Sequence, residues 1–262
     1  MKLYPLYEFP PSLEDLEKLL KIIDLNSYLS IEKTRNTVSQ LYGKRSSRTN
    51  IQIKDLRKLG LINVDDNVSL SWETQLYIDL NRDLRGLLVY NIFKIESLFN
   101  DCKLICDIDP TMCLSNPALY EKLLEYGYED ENKQTAFGKL FAIKRLIKSC
   151  QNTDELNPFL GYERYMAFLS LLQETYIQFV GQYKKNAILA DLFRALCELG
   201  FKEKEVGEYL SKLYKDPVFA SYTSFSTVNI EFAKEYYLTI LDDQFYYVKI
   251  KEPFLIKNEG RE

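Results

Sequence analysis

The chain has 262 residues, 46% of them hydrophobic and 14% aromatic, so it carries enough apolar side chain for packed cores rather than disorder. Its formal net charge is −4, so it is not a general polyanion binder, and any nucleic-acid site must be a local patch. It contains no histidine, which removes Ser-His-Asp and Cys-His catalysis, His-ligated zinc and histidine pH switching.

The opening MKLYPLYEFPPSLEDL has no apolar signal core, and Pro5, Pro10 and Pro11 would interrupt one. No apolar run approaches the roughly 20 residues of a membrane span. The expectation is a soluble, cytoplasmic protein without a membrane partner. Residues 1–11 read as an extended arm whose Tyr4, Tyr7 and Phe9 pack on a neighbour. Ser12 then opens a helix, with Asp15 three positions on as a capping box. Leu13, Leu16, Leu19, Leu20 and Ile23 line one side of it through about Asp24.

From Ser30 to Leu80 the pattern predicts a helix, a turn at Gly43, a second helix closing at Lys58-Leu59-Gly60, and a short β-hairpin. Glycine after Leu59 suits a left-handed helix end. Thr49, Ile53, Leu56 and Gly60 form the inward stripe of the second helix. Ser47, Arg48, Ile51, Lys54, Asp55 and Lys58 fall on the opposite side. Lys33 to Lys58 holds eight basic residues and a single acid, Asp55, a local reversal of the chain's sign. Asn63 to Asn67 forms the hairpin tip. Trp72 to Leu80 begins a helix, with Trp72, the only tryptophan, pinning the hairpin to it.

The segment LRKLGLI, a polar turn and an alternating strand resemble the winged helix-turn-helix superfamily over residues 12–80. The resemblance implies binding to double-stranded DNA. Lys44, Arg45 and Ser47 would meet phosphates at the helix N-terminus. Arg48 would read guanine, Ile51 would meet a thymine methyl, and Lys54 and Lys58 would complete the surface. The bland alternative is a solvated charged face with Ile51 packed on a neighbour.

Farther along, Leu84 to Cys106 reads as one helical segment, with LLVYNIF and SLF too apolar to be exposed. Pro110 and Pro117 bracket a loop. Asn116–Gly127 and Lys133–Ser149 read as helices, the second with Phe137, Leu140, Phe141 and Ile147 inward. The polar stretch 150–161 marks a boundary. Tyr162–Tyr183, Asn186–Leu199, Lys202–Tyr214 and Thr227–Leu241 read as helices, with Pro217 breaking the pattern. Gln244–Ile250 reads as a strand, and Lys257–Glu262 as a loose tail. Apolar pairs recur ten and thirteen residues after three turn glycines: Ile53 and Leu56 after Gly43, Phe137 and Leu140 after Gly127, Leu210 and Leu213 after Gly200. This suggests tandem units. The expected fold is mainly α, with a winged helix-turn-helix at 1–83, a second helix-turn-helix-like unit at 84–150, and a helical unit with one terminal strand at 162–256.

Little catalytic chemistry is visible. There is no glycine-rich phosphate loop. The 20 tyrosines come without the arginine–histidine constellation of a recombinase. Cys102, Cys106, Cys113 and Cys150 could be metal ligands, but no C-x-x-C pair occurs, and buried reduced thiols are expected for them and Cys197. Asp107, Asp109 and Asp243, the last with Lys249 or Lys251, are the nearest approach to a carboxylate-dependent nuclease. The leading expectation is a non-enzymatic DNA-binding protein without metal or cofactor. It would serve transcription regulation or be the DNA-recognition subunit of a larger bacterial assembly, with a protein partner or a second copy. Tandem winged helices of this kind resemble subunits of prokaryotic restriction and phage-defence systems. The alternatives are a winged helix used purely for protein docking and a cryptic metal-dependent nuclease.

Overall fold

The computed structural model describes all residues except 28, 43–45, 130–131, 153–155, 229–236 and 255–262, and the side chains of all but these and 41, 42, 46 and 47. The expected turn glycine Gly43, the basic pair Lys44-Arg45 and the tail therefore lie outside the described residues. The protein is mainly helical, with short antiparallel strands. Residues Met1–Leu160 form one compact unit and Gly161–Glu262 a second.

In the first unit, α1 spans Leu13–Leu25, and Ser12 caps it by accepting the Asp15 amide at 3.1 Å. Its Leu16, Leu19, Leu20 and Ile23 are buried. Ser30 makes an isolated antiparallel bridge to Asn67. Helices α2 (Ile31–Tyr42) and α3 (Ser46–Lys58) follow, then strands β1 (Ile62–Val64) and β2 (Val68–Leu70), paired as a hairpin. Gly60 stands at φ +66°, and the amides of Gly60 and Leu61 reach back to the Arg57 and Leu56 carbonyls. That arrangement closes α3 in the way a left-handed glycine permits. The same closure recurs at Gly127 and Gly200.

Helix α4 spans Trp72–Asp79 and buries Thr74 and Tyr77. Trp72 is 51% exposed, so the inward anchor of this helix is Tyr77 and not the tryptophan. The expected single helix from Leu84 is two, α5 (Leu84–Phe93) and α6 (Glu96–Ile108), because the backbone leaves helical values at Ile95 (φ −112°, ψ 87°). The break lets α5 pack on α1, α4 and α8 while α6 meets α7 and α8. Helix α7 is Asn116–Glu125 and α8 is Lys133–Cys150. Among the described residues no strand accompanies this pair, so it carries only the helical part of the expected repeat.

The residue-83 division has no counterpart in the packing, because an N-terminal arm bridges both sides of it. Leu3, Leu6 and Phe9 of the arm are buried, whereas Tyr7 is 41% exposed. The amides of Tyr7 and Glu8 donate to Asp55 Oδ2 of α3 at 2.7 and 2.9 Å. The amide of Tyr4 donates to Asp101 Oδ2 of α6 at 2.7 Å, and Tyr128 Oη donates to Asp101 Oδ1 at 2.7 Å. Arg145 of α8 donates to the Phe9 carbonyl at 3.2 Å.

The second unit begins with α9 (Tyr162–Val180), flanked by left-handed Gly161 and Gly181. Then come β3 (Ala187–Ile188), α10 (Leu189–Glu198), α11 (Glu203–Lys215), α12 (Pro217–Tyr222) and β4 (Thr223–Ser226). Strands β5 (Leu238–Ile240) and β6 (Asp243–Phe245) form a hairpin, and β7 (Tyr247–Ile250) ends the series. Strand β7 lies between β3 and β4 in an antiparallel sheet of order β3-β7-β4. The run of α11 ends at Lys215, just before Pro217 as expected, and Pro217 opens a new helix, α12, where a missing N–H is harmless. One expectation changes. Of the expected helix 227–241, Thr227 and Val228 are irregular and Leu238–Ile240 is strand β5, whose β-branched residues pair with the adjacent β6.

Tyr165 and Phe168 of α9 form an aromatic core with Phe201 and Tyr209. At its rim Arg164 makes a paired contact to Glu205 at 2.7 and 3.0 Å. This bond, with the Lys202 amide, holds the Glu205 carboxyl down to about 2.

Two outcomes follow from this packing. Asp55→Ala leaves two arm amides unsatisfied and should lower the unfolding free energy by about 3 kcal/mol in urea titration, with Asp55→Asn milder. Glu205 has a depressed pKa, so its contribution is complete above the unfolded value near 4.3 and disappears as pH falls through about 2. Glu205→Gln should therefore lower Tm at neutral pH, and the gap from the parent protein should close near pH 2.

Candidate nucleic-acid interface

The described outward side chains of α3 are Arg48, Ile51, Lys54, Arg57 and Lys58, all exposed. Ile51 is 39% exposed, so it does not serve as core. Ser47 lies in the first turn of α3, and its side chain is outside the described atoms, as are Lys44 and Arg45. Thr49, Ile53 and Leu56 are buried as the periodicity requires.

Asp55 departs from the helical-wheel reading, which places it outward. It is 1% exposed. The arm covers it and satisfies one carboxylate oxygen with two amides, while Lys58 Nζ meets the other at 2.7 Å. Two consequences bear on the site. The only acid of the basic window is removed from the surface. Lys58 is drawn inward as well: it donates to the Pro5 carbonyl at 2.6 Å and sits 5.6 Å from the Tyr7 ring centre. Lys58 is thus an arm clamp, and Arg48, Lys54 and Arg57 remain the outward cations of the described helix.

A residue outside the expected set joins them. Arg145 of α8 feels the charges of Glu8, Arg48 and Asp15, in that order. Burial, with the charge of Arg48, lowers its pKa, while Glu8 and Asp15 oppose the shift. Its guanidinium rests over Phe141 at 3.9 Å. Phe141, expected inward, is 47% exposed. Gly138, Phe141, Arg145 and Lys148 follow one stripe of α8, so this outer face carries an aromatic ring under a cation, with Lys148 exposed beyond. The clue available in the sequence is the i,i+4 Phe-Arg pair, which periodicity alone reads as core.

The hairpin tip is acidic and exposed at Asp65 and Asp66, with the Asp65 amide bonded to the Asn67 carbonyl. It therefore offers no cation to a phosphate.

No protein-family model, curated protein or solved structure matches the chain.

The carboxylates considered for catalysis have structural partners. Asp109 caps α6 and accepts the Cys113 and Leu114 amides at 2.9 Å each, with Lys144 at 3.7 Å. Asp107 accepts from Asn157 at 2.9 Å. Asp243 accepts from Tyr214 Oη at 3.3 Å. Among the described residues no three Cys, Asp or Glu side chains assemble in a metal-holding group. The described helices include none long and apolar enough to cross a membrane.

Cys102, Cys106 and Cys150 are buried, Cys197 is intermediate, and Cys113 is exposed. Burial in the apolar core pushes the thiols up, Cys106 to about 12 and Cys102 and Cys150 well above the ordinary range. Titration of native protein with a disulfide reagent should modify Cys113 first and leave Cys102, Cys106 and Cys150 unreacted until denaturant is added.

Proposed function

We propose that this chain is a non-enzymatic DNA-binding protein built on winged helix-turn-helix modules, with α3 as the helix that enters the major groove. The observation that carries the reading is the sign of that helix surface. Its described outward residues are basic or neutral, and its one acid is buried under the arm. In a chain of net charge −4, this local concentration suits phosphate contact.

The order of elements supports the same reading. Helix α1, the Ser30 bridge, α2, α3 and the β1–β2 hairpin follow the sequence of a winged helix-turn-helix. Helix α9, strand β3, helices α10 and α11, and strands β4 and β7 follow a similar order in the second unit, with α12 inserted before β4 and the β5–β6 hairpin before β7. Arg48, at the beginning of α3, suits guanine, and Ile51 one turn on suits a thymine methyl. Lys54, Arg57 and the α8 residues Arg145 and Lys148 supply phosphate contacts. Such a protein acts as a regulator or as the recognition subunit of a larger assembly.

Fluorescence anisotropy with a labelled random-sequence duplex at two salt concentrations tests the reading. Binding should fall steeply as salt rises. Arg48→Ala with Lys54→Ala should weaken it about tenfold or more and lower the salt slope by about two. Absence of binding at low salt overturns the assignment and favours a protein-docking role for the same face.

A further inference from the structure

The second unit follows a similar order of elements but does not repeat the electrostatics. Its helix corresponding to α3 in order is α11, and the first turn of α11 carries Glu203 and Glu205. Glu208, one turn on, is exposed. These acids alternate with Lys202 and Lys204, and Glu205 is held by Arg164 and Glu208 by Lys204, so the start of α11 lacks the single positive sign of the outward face of α3. A separate group of lysines lies at its sheet.

Strand alternation explains how. Val248 and Ile250 of β7 are buried, and they pair with Phe225 and Thr223 of β4. Tyr247 and Lys249 therefore point to the opposite face, across from Ser226 and Ser224. Lys251 follows in the same alternation. Lys184 is brought to this place by the turn after α9. It adopts φ +68°, and its amide donates to the Ile250 carbonyl at 2.8 Å. The result is a cavity of about 440 Å³ lined, among the described residues, by Lys184, Lys249, Lys251 and Glu252.

This lining holds three cations and one carboxylate in a chain that is acidic overall. Among the described residues neither Lys184 nor Lys249 forms an ion pair. Lys251 Nζ donates to the Ser221 carbonyl at 3.1 Å, which positions the ammonium and leaves further protons for a ligand. Three lysines lining one space give an entering polyanion several positive charges to meet at once. Ser224 and Ser226 add neutral hydroxyls on the same face. Tyr247, half-buried and held edge-on against Tyr246 with centroids 4.6 Å apart, adds a ring to it. Lysines with small hydroxyls and an aromatic ring match a sugar–phosphate chain better than a compact carboxylate metabolite.

We propose that this outer sheet face is a second nucleic-acid contact that binds the phosphodiester backbone through Lys184, Lys249 and Lys251, independently of α3. In the second unit the contact has moved from helix to sheet.

The test uses the full chain, a labelled random-sequence duplex and a salt series. The variants are Lys184→Ala/Lys249→Ala/Lys251→Ala, Arg48→Ala/Lys54→Ala, and the two sets combined, each checked for folding by circular dichroism. The lysine set should weaken binding and lower the slope of log affinity against log salt by about two to three, close to one per lost phosphate contact. Arginine at the same three positions should restore the slope. The combined variant should lose the salt-sensitive binding that the α3 variant retains. A lysine set whose isotherms superimpose on those of the parent overturns the proposal and leaves the α3 reading intact. Unchanged binding in the α3 variant with loss in the lysine set does the reverse. A parent protein that binds no duplex overturns both.

Discussion

The Asp55 carboxylate holds the first unit in its observed form. One of its oxygens takes two backbone amides from the arm, and the other takes the Lys58 ammonium. A carboxylate with almost no exposure is costly unless every lone pair is engaged, so the arm and Asp55 require each other. Asp101 repeats the device on α6, with the Tyr4 amide and the Tyr128 hydroxyl. The desolvation of this site and its bond to Asp101 push the Tyr128 phenol well above its ordinary range. Two buried acids thus fasten one extended segment to two helices that are distant in the chain. The same contact shapes the surface electrostatically, since burying Asp55 leaves α3 with a single sign of charge outward.

Local chemistry was the legible part of the sequence. The Ser12 cap, the leucine stripe of α1, the glycine closure of α3 and the β1–β2 hairpin all depend on residues within a few positions of each other. What escaped depended on remote partners. A helical wheel places Asp55 at the edge of the outward face, and only the arm, some 47 residues away, makes it interior. Phe141 reads as core on hydrophobicity, yet it faces out beneath Arg145. Ala187–Ile188 is too short to show a strand period, and β4 declares itself only through pairing with β7. The break at Ile95 likewise follows from the different neighbours of α5 and α6 and not from a proline or glycine.

The candidate site divided in the same way. The positive character of the α3 region, and the exposure of Arg48, Ile51 and Lys54, were readable from composition and period. The inward commitment of Lys58 and the addition of Arg145 were not, because both depend on residues outside the helix. Comparison of the two units sharpens the point. Helices α3 and α11 occupy the same place in the order of elements, but α11 opens with glutamates, one fixed to Arg164. The start of α11 thus mixes Lys202 and Lys204 with its glutamates, whereas the outward face of α3 carries one sign, and charge must be judged unit by unit.

The arm also bears on how the chain reaches its fold. Phe9 meets Arg145 across 136 positions, and the Met1 nitrogen meets the Gly127 carbonyl across 126. Closing such loops is slow relative to forming local helices and hairpins. During synthesis the arm can meet Asp55 once α3 is made, but Phe9 finds its Arg145 partner only after α8 has followed. The charged face of α3 therefore takes its form when the arm covers Asp55, before the longest-range contacts of the same arm can close.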